Sequence, residues 1–543
     1  MASTLFFSFL GSMLICMALI PPLIASAGRM HFLDLPDGRK GHPAPIAKVG
    51  GIALAAGTFT AMLLWAPKDE IVFAGLLGGV AILFFGVWDD RVGLDYRAKF
   101  LGQIVAAGLV LWVGGIHPAV LPFLPESWST WWLAGAIMFV LVVGMTNAVN
   151  LADGLDGLAG GLSLISFAGM AYLAYEADDT VVMLLMVSVL GGLLGFLRFN
   201  TYPARIFMGD AGSQFLGFYL GVMALVLTDP ARGPYSPLVA LFLWGLPLLD
   251  TIGVMIQRLR EGRSPFIGDR NHLHHKLLGM GFSHHSAVIL IYLVQVGLIA
   301  LAYTLRWQSD WLLAVIYLVI AVAVLRLFAV SSPKWPTASN LRGVTSQRWT
   351  AFWSTLQPRL ADRSCHWLAA AVGGLLFLSV FLPSSVPSDV ALVAAGLLAV
   401  MGGGFLLLPR SLPYLVRAGL YVGSTGVLYF AEVHGAAQGA SWLQPVNVYF
   451  VMLALLVMVS IRVNTAHQFE TTPLDSLMVF LAVLVPFLPE HRAGTMNVSV
   501  LTAKLIVLFF AFELLLHADR DRLWRGGVLA AWLLTGLVFH VWW

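Results

Sequence analysis

Runs of about 20 apolar residues recur along nearly the whole chain, and no other feature restricts its fold as strongly, because that is the length of helix needed to cross the hydrocarbon core of a bilayer. They fall near 4–27, 48–66, 71–88, 99–115, 130–148, 160–176, 181–199, 212–228, 236–256, 287–305 and 311–330. A second series falls near 367–384, 390–408, 412–432, 445–462, 474–489, 498–516 and 525–543. Of the 543 residues, 59% are hydrophobic and only 11% charged, whereas a soluble domain carries about a quarter charged residues. The expected fold is therefore an all-α polytopic integral membrane protein, with about eleven spans in a first unit and about seven in a C-terminal membrane region. Three parts follow: a first membrane unit over 1–330, a polar linker over 331–366 containing Pro333, Pro336 and Pro358, and a C-terminal region over 367–543. The linker reads as cytoplasmic, with a short amphipathic helix near 349–360.

The first run could be mistaken for a cleaved signal, since Ala25-Ser26-Ala27 has the small-residue cleavage pattern. No Lys or Arg precedes the run and Arg29 follows it, so it is expected to be the first span. Placing the N-terminus outside puts Arg29, Arg39, Lys40, Lys48, Arg91, Arg97, Lys99, Arg198, Arg205, Arg258, Arg260, Arg263, Arg270 and Lys276 on the cytoplasmic side. Only Lys68, Arg232 and Arg306 face them from the opposite side of the first unit, so the positive-inside rule fixes the orientation. The net charge of +3 is too small to argue for nucleic acid. Cys16 and Cys365 support neither a disulfide framework nor a cysteine metal site.

With that orientation, every dense polar cluster of the first unit is cytoplasmic. Asp89-Asp90 ends the third span and Lys99 opens the fourth; adjacent carboxylates repel unless a cation lies beside them, and a hard cation that shares its shell with phosphates is the economical partner. An exposed turn of acids is the competing reading. The stretch 147–161, NAVNLADGLDGLAGG, carries Asn147, Asn150, Asp153 and Asp156. On a helix, steps of three residues turn about 300° each and make a slanting polar stripe, while the glycines argue for a break or a close approach. Either option turns the carboxylates toward one cavity. In 200–217, Asp210 follows Phe207, Met208 and Gly209 and precedes Ala211-Gly212-Ser213, small residues that let a phosphate or metal near the backbone N–H groups of a helix N-terminus. An ordinary N-cap would also explain Asp210.

The loop 258–285 holds Arg270, His272, His274, His275 and Lys276, a cationic group suited to anionic oxygens, with a zinc site as the rival reading. In the first loop, Arg39, Lys40, His42 and Lys48 are either phosphate contacts or topology anchors. Acids and bases on one face describe a site for a diphosphate and a divalent cation at the membrane surface, hence phosphoryl transfer to or from a lipid. The C-terminal region has no comparable motif; Arg417, Glu432, His434, Asn447, Asn464 and Glu513 read as interfacial or inter-helix polar residues.

The Asp89-Asp90 pair with Lys99, NAVNLADGLDGLAGG, FMGDAGS and DRNHLHH occur in the order found in the polyprenyl-phosphate N-acetylhexosamine-1-phosphate transferases. The chain resembles that family over about 1–330. The resemblance implies ten or eleven helices around a cytoplasmic cleft in the inner membrane. It implies transfer of a HexNAc-1-phosphate, most often GlcNAc-1-phosphate, from a UDP-sugar to undecaprenyl phosphate, with Mg²⁺ (or Mn²⁺ in its place) and release of UMP. Asp89, Asp90 and Asp210 would be the essential acids and metal ligands, Asp210 foremost, and Asp90 could take a proton from the attacking phosphate.

In the same resemblance Asn150, Asp153, Asp156, Phe207 and Gly209 would line the nucleotide-sugar site, Phe207 against the uracil. His272, His274, His275 and Arg270 would meet the diphosphate, with Lys40 or Lys48. The first-loop sequence Ala47-Lys48-Val49-Gly50-Gly51 and the histidines interrupted by Leu273 resemble the branch initiating O-antigen, teichoic acid or other surface polysaccharides rather than the branch making the first peptidoglycan lipid intermediate. A two-step route through an aspartyl-phosphate rivals direct attack, and a lipid or glycan transporter is the reading from another class. Homodimers are frequent in the family.

Overall fold

The structure is a computed structural model that describes residues 2–36, 44–115, 122–123, 130–230, 232–264, 271–329, 347–383, 386–407, 412–437, 443–464, 492–493, 496–516 and 520–540. It divides into two compact units, Met1–Asn340 and Leu341–Trp543.

The first unit is built from α1 (Ala2–Met30), β1 (Leu33–Asp34), β2 (Ile46–Ala47), α2 (Gly50–Trp65), α3 (Glu70–Val92), α4 (Tyr96–Val113), α5 (Trp131–Ala152), α6 (Leu158–Glu176), α7 (Thr180–Asn200), α8 (Gly209–Leu227), α9 (Val239–Arg260), the short α10 (Leu273–Gly279), α11 (His284–Leu305) and α12 (Asp310–Ala329). Each apolar run expected in this unit is a helix. Nine of the helices among the described residues are long and apolar enough to cross a bilayer, and α2, at 16 residues, is shorter. A helix satisfies its own backbone hydrogen bonds, as a segment in lipid must.

Helix α8 is the axis of the unit. Every residue from Ala211 to Leu227 is buried, and α2, α3, α5, α6 and α9 all pack on it. Small residues permit this: a side chain at Gly212 would meet Gly51 of α2, and one at Gly217 would meet the backbone of Thr146 on α5, the small-residue packing by which helices approach closely in membranes. Gln103 of α4, Asn147 of α5 and Gln214 of α8 join in a hydrogen-bonded set, with Asn147 Nδ2 donating to Gln103 Oε1 at 2.7 Å and Gln103 Nε2 donating to Gln214 Oε1 at 3.2 Å. Asn147 is thus spent on holding helices together.

Helix α9 is broken at Gly245 (φ 51°, ψ −130°), two residues before Pro247. Gln295 of α11 repairs the interruption: its Oε1 accepts from Leu246 N at 2.9 Å while its Nε2 donates to Ser166 Oγ at 2.9 Å. Backbone groups freed at membrane depth need such a partner. The apolar pattern of the ninth run predicts one continuous helix, and only Gly245 and Pro247 within it mark the break.

The second unit contains α13 (Gln347–Ser379), α14 (Ser388–Leu407), α15 (Leu412–Ala437), α16 (Leu443–Asn464), the two-residue β3 and β4 (Arg492–Ala493, Met496–Asn497), α17 (Val498–Leu516) and α18 (Arg520–Phe539). Its own core gathers Leu420, Leu453, Leu508, Phe510 and Leu533. The amphipathic helix expected near 349–360 and the span expected from 367 are one continuous helix, α13. The expected span at 474–489 lies outside the described residues.

Candidate active site

The dense polar residues of the first unit meet at one end of α8. The geometry starts with Asp90, whose Oδ1 accepts from Asp210 N at 3.0 Å and whose Oδ2 accepts from Ala211 N at 2.9 Å. A carboxylate from the end of α3 therefore satisfies the first free donors of α8, where a negative charge also complements the helix dipole. Gly209 (φ +69°) leaves the room this needs, since a Cβ there would strike the Asp90 carboxylate. Lys48 stands beside it, 3.9 Å from Asp90 Oδ1.

Asp89 points the other way. Its side chain is 1% exposed and lies 2.5 Å from Lys99 Nζ, which is also 3.6 Å from Asp210 Oδ2. The remaining oxygen, Oδ1, accepts from Leu94 N at 2.7 Å. Asp210 itself is half-buried, with 30% of its side chain exposed. Its Oδ1 accepts from Asn150 Nδ2 at 2.6 Å, and Asn150 Nδ2 also reaches Ser213 Oγ at 2.8 Å. All three expected metal ligands face protein donors, and Asp210 is the one whose side chain is also partly exposed.

In 147–161 the helix ends, as the glycines suggested: α5 stops at Ala152 and α6 starts after Gly157 (φ +77°). Asp153 occupies the turn, half-buried, its N–H donating to Asn150 O at 3.3 Å and its carboxyl with no hydrogen-bond partner among the described residues. Burial, then the charges of Asp210, Asp90 and Asp156, push its carboxyl up to about 8. Asp156 turns aside, its Oδ2 accepting from Ala204 N at 2.9 Å, so it anchors the α7–α8 loop. Phe207 is half-buried in that loop and is fixed through its backbone, donating to Ala47 O at 2.8 Å and accepting from Gly50 N at 3.0 Å.

The histidines close the other wall. His272 and His274 are buried with their rings stacked, 6.0 Å apart and 10° from parallel, and His275 lies 4.2 Å from His274. Gly154 lies against the His274 ring, where a Cβ would collide with the imidazole. Burial, then the neighbouring His275 charge, lowers His274 to about 4, which disfavours its charged form near pH 7. Its Nε2 is buried with no hydrogen-bond partner among the described residues. Lys276 donates to Gln257 Oε1 at 3.2 Å. Lys40 and Arg270 lie outside the described residues.

Asp250 of α9 was missed by the sequence reading. Its Oδ2 pairs with His272 Nδ1 at 2.8 Å and its Oδ1 accepts from Leu273 N at 2.9 Å. The available signal was a lone acid inside an apolar run, LPLLDTIG, which is costly in a membrane without a partner.

Among the described residues no three His, Cys, Asp or Glu side chains close around one point, which offers nothing to the zinc reading. Mg²⁺ needs no such cage, because it keeps waters and takes one or two carboxylates plus substrate phosphates. The unpartnered Asp153 beside the half-open Asp210 fits that requirement.

A bundle of membrane-length helices that brings an acid cluster against a histidine segment is the class of membrane protein suited to handling phosphates. Residues 72–228 match the glycosyl transferase family 4 profile. The chain is 32% identical over 316 residues to a probable undecaprenyl-phosphate N-acetylglucosaminyl 1-phosphate transferase of Bacillus subtilis (strain 168), covering 58% of this chain and 88% of that protein. It is 34% identical over 313 residues to a decaprenyl-phosphate N-acetylglucosaminephosphotransferase of Mycolicibacterium smegmatis, covering 50% and 74%. Against an undecaprenyl-phosphate alpha-N-acetylglucosaminyl 1-phosphate transferase of Escherichia coli (strain K12) the identity is 31% over 307 residues, covering 54% and 82%. The chain belongs to glycosyl transferase family 4 and is a multi-pass membrane phosphoglycosyltransferase. These relatives do not favour the pentapeptide-transferase or transporter readings.

Proposed function

We propose that the protein transfers N-acetylglucosamine 1-phosphate from UDP-GlcNAc to undecaprenyl phosphate at the cytoplasmic face of the inner membrane, releasing UMP and starting a surface polysaccharide. The observation that carries this is the meeting of Asp210, Asp153, Lys99 and the His272–His275 segment in one cleft at the end of α8. The names of the relatives support the sugar and the acceptor, and the crowding of Lys and Arg at this end of the bundle supports the face.

In the proposed reaction a lipid phosphate oxygen attacks the β-phosphorus of UDP-GlcNAc, and the bond to the UMP oxygen breaks. Asp210 and Asp153 would hold Mg²⁺, which when bound neutralises charge on the diphosphate. Asn150 fixes the Asp210 carboxylate, and Lys99 offsets the charge between Asp89 and Asp210. His274 packs its ring against Gly154 beside Asp153 and shapes this wall of the site. Phosphate monoesters have a second pKa near 6 and are largely ionised at pH 7, so no general base is required. That leaves Asp90 as the clamp of α8 rather than a proton acceptor. Burial of Asp89 against Lys99 disfavours an aspartyl-phosphate route through it.

The test is UMP release by purified protein with undecaprenyl phosphate, Mg²⁺ and a panel of UDP-sugars. Turnover is expected with UDP-GlcNAc, and Asp210→Asn is expected to lower kcat by about two or more orders of magnitude without loss of the folded protein. Absence of UMP with every donor would overturn the proposal, and near-normal turnover of the variant would remove Asp210 from the metal site.

A further inference from the structure

Resting on the transfer reading above, we propose that Asp250 is a positioning residue for the reaction: through the His272 ring it fixes the orientation and the tautomer with which that histidine meets the substrate. Asp250 sits in the part of α9 beyond the Gly245 break. It follows the apolar run Leu246-Pro247-Leu248-Leu249 and is only 14% exposed at its side chain. An acid so placed needs partners, and both of its partners belong to the start of α10, the backbone N–H of Leu273 and Nδ1 of His272.

Each bond does a different job. The Leu273 bond fixes where α10 begins, and any good acceptor would serve there. The His272 bond decides which ring nitrogen carries the proton, because a carboxylate accepts and does not donate. With Nδ1–H turned to Asp250, Nε2 on the opposite edge of the ring is left as an acceptor with no partner among the described residues, suited to a donor of the substrate such as a sugar hydroxyl. The orientation passes on: His274 stacks parallel to His272 at 6.0 Å and lies against Gly154, next to Asp153. A carboxylate that anchors one nitrogen of a functional histidine commonly fixes what the other can do.

Asp250→Asn separates the two jobs while keeping size and shape. Its single carbonyl oxygen can still accept from Leu273 N, but its NH₂ then faces His272 and forces the proton to Nε2, the tautomer reversal known from catalytic Asp–His pairs. Full-length protein in detergent is assayed for UMP release, and its ¹⁵N-labelled histidines are read by NMR, with His272 assigned by its absence in His272→Gln.

The expected result is a fall in kcat of about 10–100-fold with little change in KM for UDP-GlcNAc, and a shift of the His272 proton from Nδ1 to Nε2. Unchanged kcat in Asp250→Asn overturns the proposal, as does a lost kcat with the His272 tautomer unchanged, which would make Asp250 merely structural. Wild-type protein that releases no UMP overturns the transfer reading instead, and the two failures are read from different samples.

Discussion

Asp153 and Asp210 divide the acid cluster in a way their neighbours do not. Asp89 and Asp90 give their oxygens to Lys99, Leu94 and the start of α8, whereas the Asp153 carboxyl has no hydrogen-bond partner among the described residues and holds its proton up to about 8. A carboxyl with a raised pKa binds its proton more tightly in the folded chain than in the unfolded one. Its contribution to stability is therefore intact below the ordinary carboxylate range near 4 and is lost as the pH rises to about 8. A divalent cation reverses the sign, because it binds the ionised form. In EDTA, the thermal midpoint of the wild type is expected to fall relative to Asp153→Asn between pH 5 and 8. The rise produced by Mg²⁺ should grow over the same window and disappear in the variant. A Mg²⁺ effect that is equal at pH 6 and 8.5, and indifferent to Asp153→Asn, would remove Asp153 from the cation site.

Elements, not isolated residues, explain how the site is held. Helix α3 delivers Asp90 to the N-terminus of α8, the α5–α6 turn delivers Asp153, and α9 delivers Asp250 to α10. The α5–α6 turn and the histidine segment touch at Gly154, which is exposed apart from the His274 ring against it and has no left-handed backbone to strain. Gly154→Ala should therefore displace the His274 ring and lower kcat by about tenfold or more while leaving the thermal midpoint nearly unchanged. Normal turnover in that variant would show that the ring position is unimportant. The helices themselves were legible in the sequence because bilayer thickness sets one length for all of them. The motif acids were legible because charge at membrane depth is rare. What each acid does was not: Asp89, Asp90 and Asp156 look alike in sequence, and only packing shows that they serve Lys99, α8 and Ala204 respectively. Gly245 and Pro247 mark the α9 break locally, but its repair by Gln295 escaped for the same reason, since Leu246 and Gln295 are far apart in the chain.

At the scale of the whole molecule, the described residues of the proposed chemistry all belong to the first unit, Met1–Asn340. The second unit packs around a core of its own, and its scattered polar residues include an inter-helix ion pair between Lys504 of α17 and Glu432 of α15, both buried, with the Lys504 ammonium 5.4 Å from the Phe450 ring centre. Removing one member of such a pair leaves an uncompensated buried charge, so the second unit has internal reasons to keep these residues that make no reference to the transfer. A protein with its own core and all the reacting groups should function without the remainder. Truncation after Asn340 is therefore expected to give a chain that inserts into membranes and releases UMP from UDP-GlcNAc at a rate within about tenfold of the full-length protein. If the truncated chain inserts and binds UDP-GlcNAc but turns over far more slowly, the second unit contributes to the reaction itself. If it fails to accumulate in the membrane while the full-length protein does, the second unit is required for folding, and the independence inferred from the two cores is overturned.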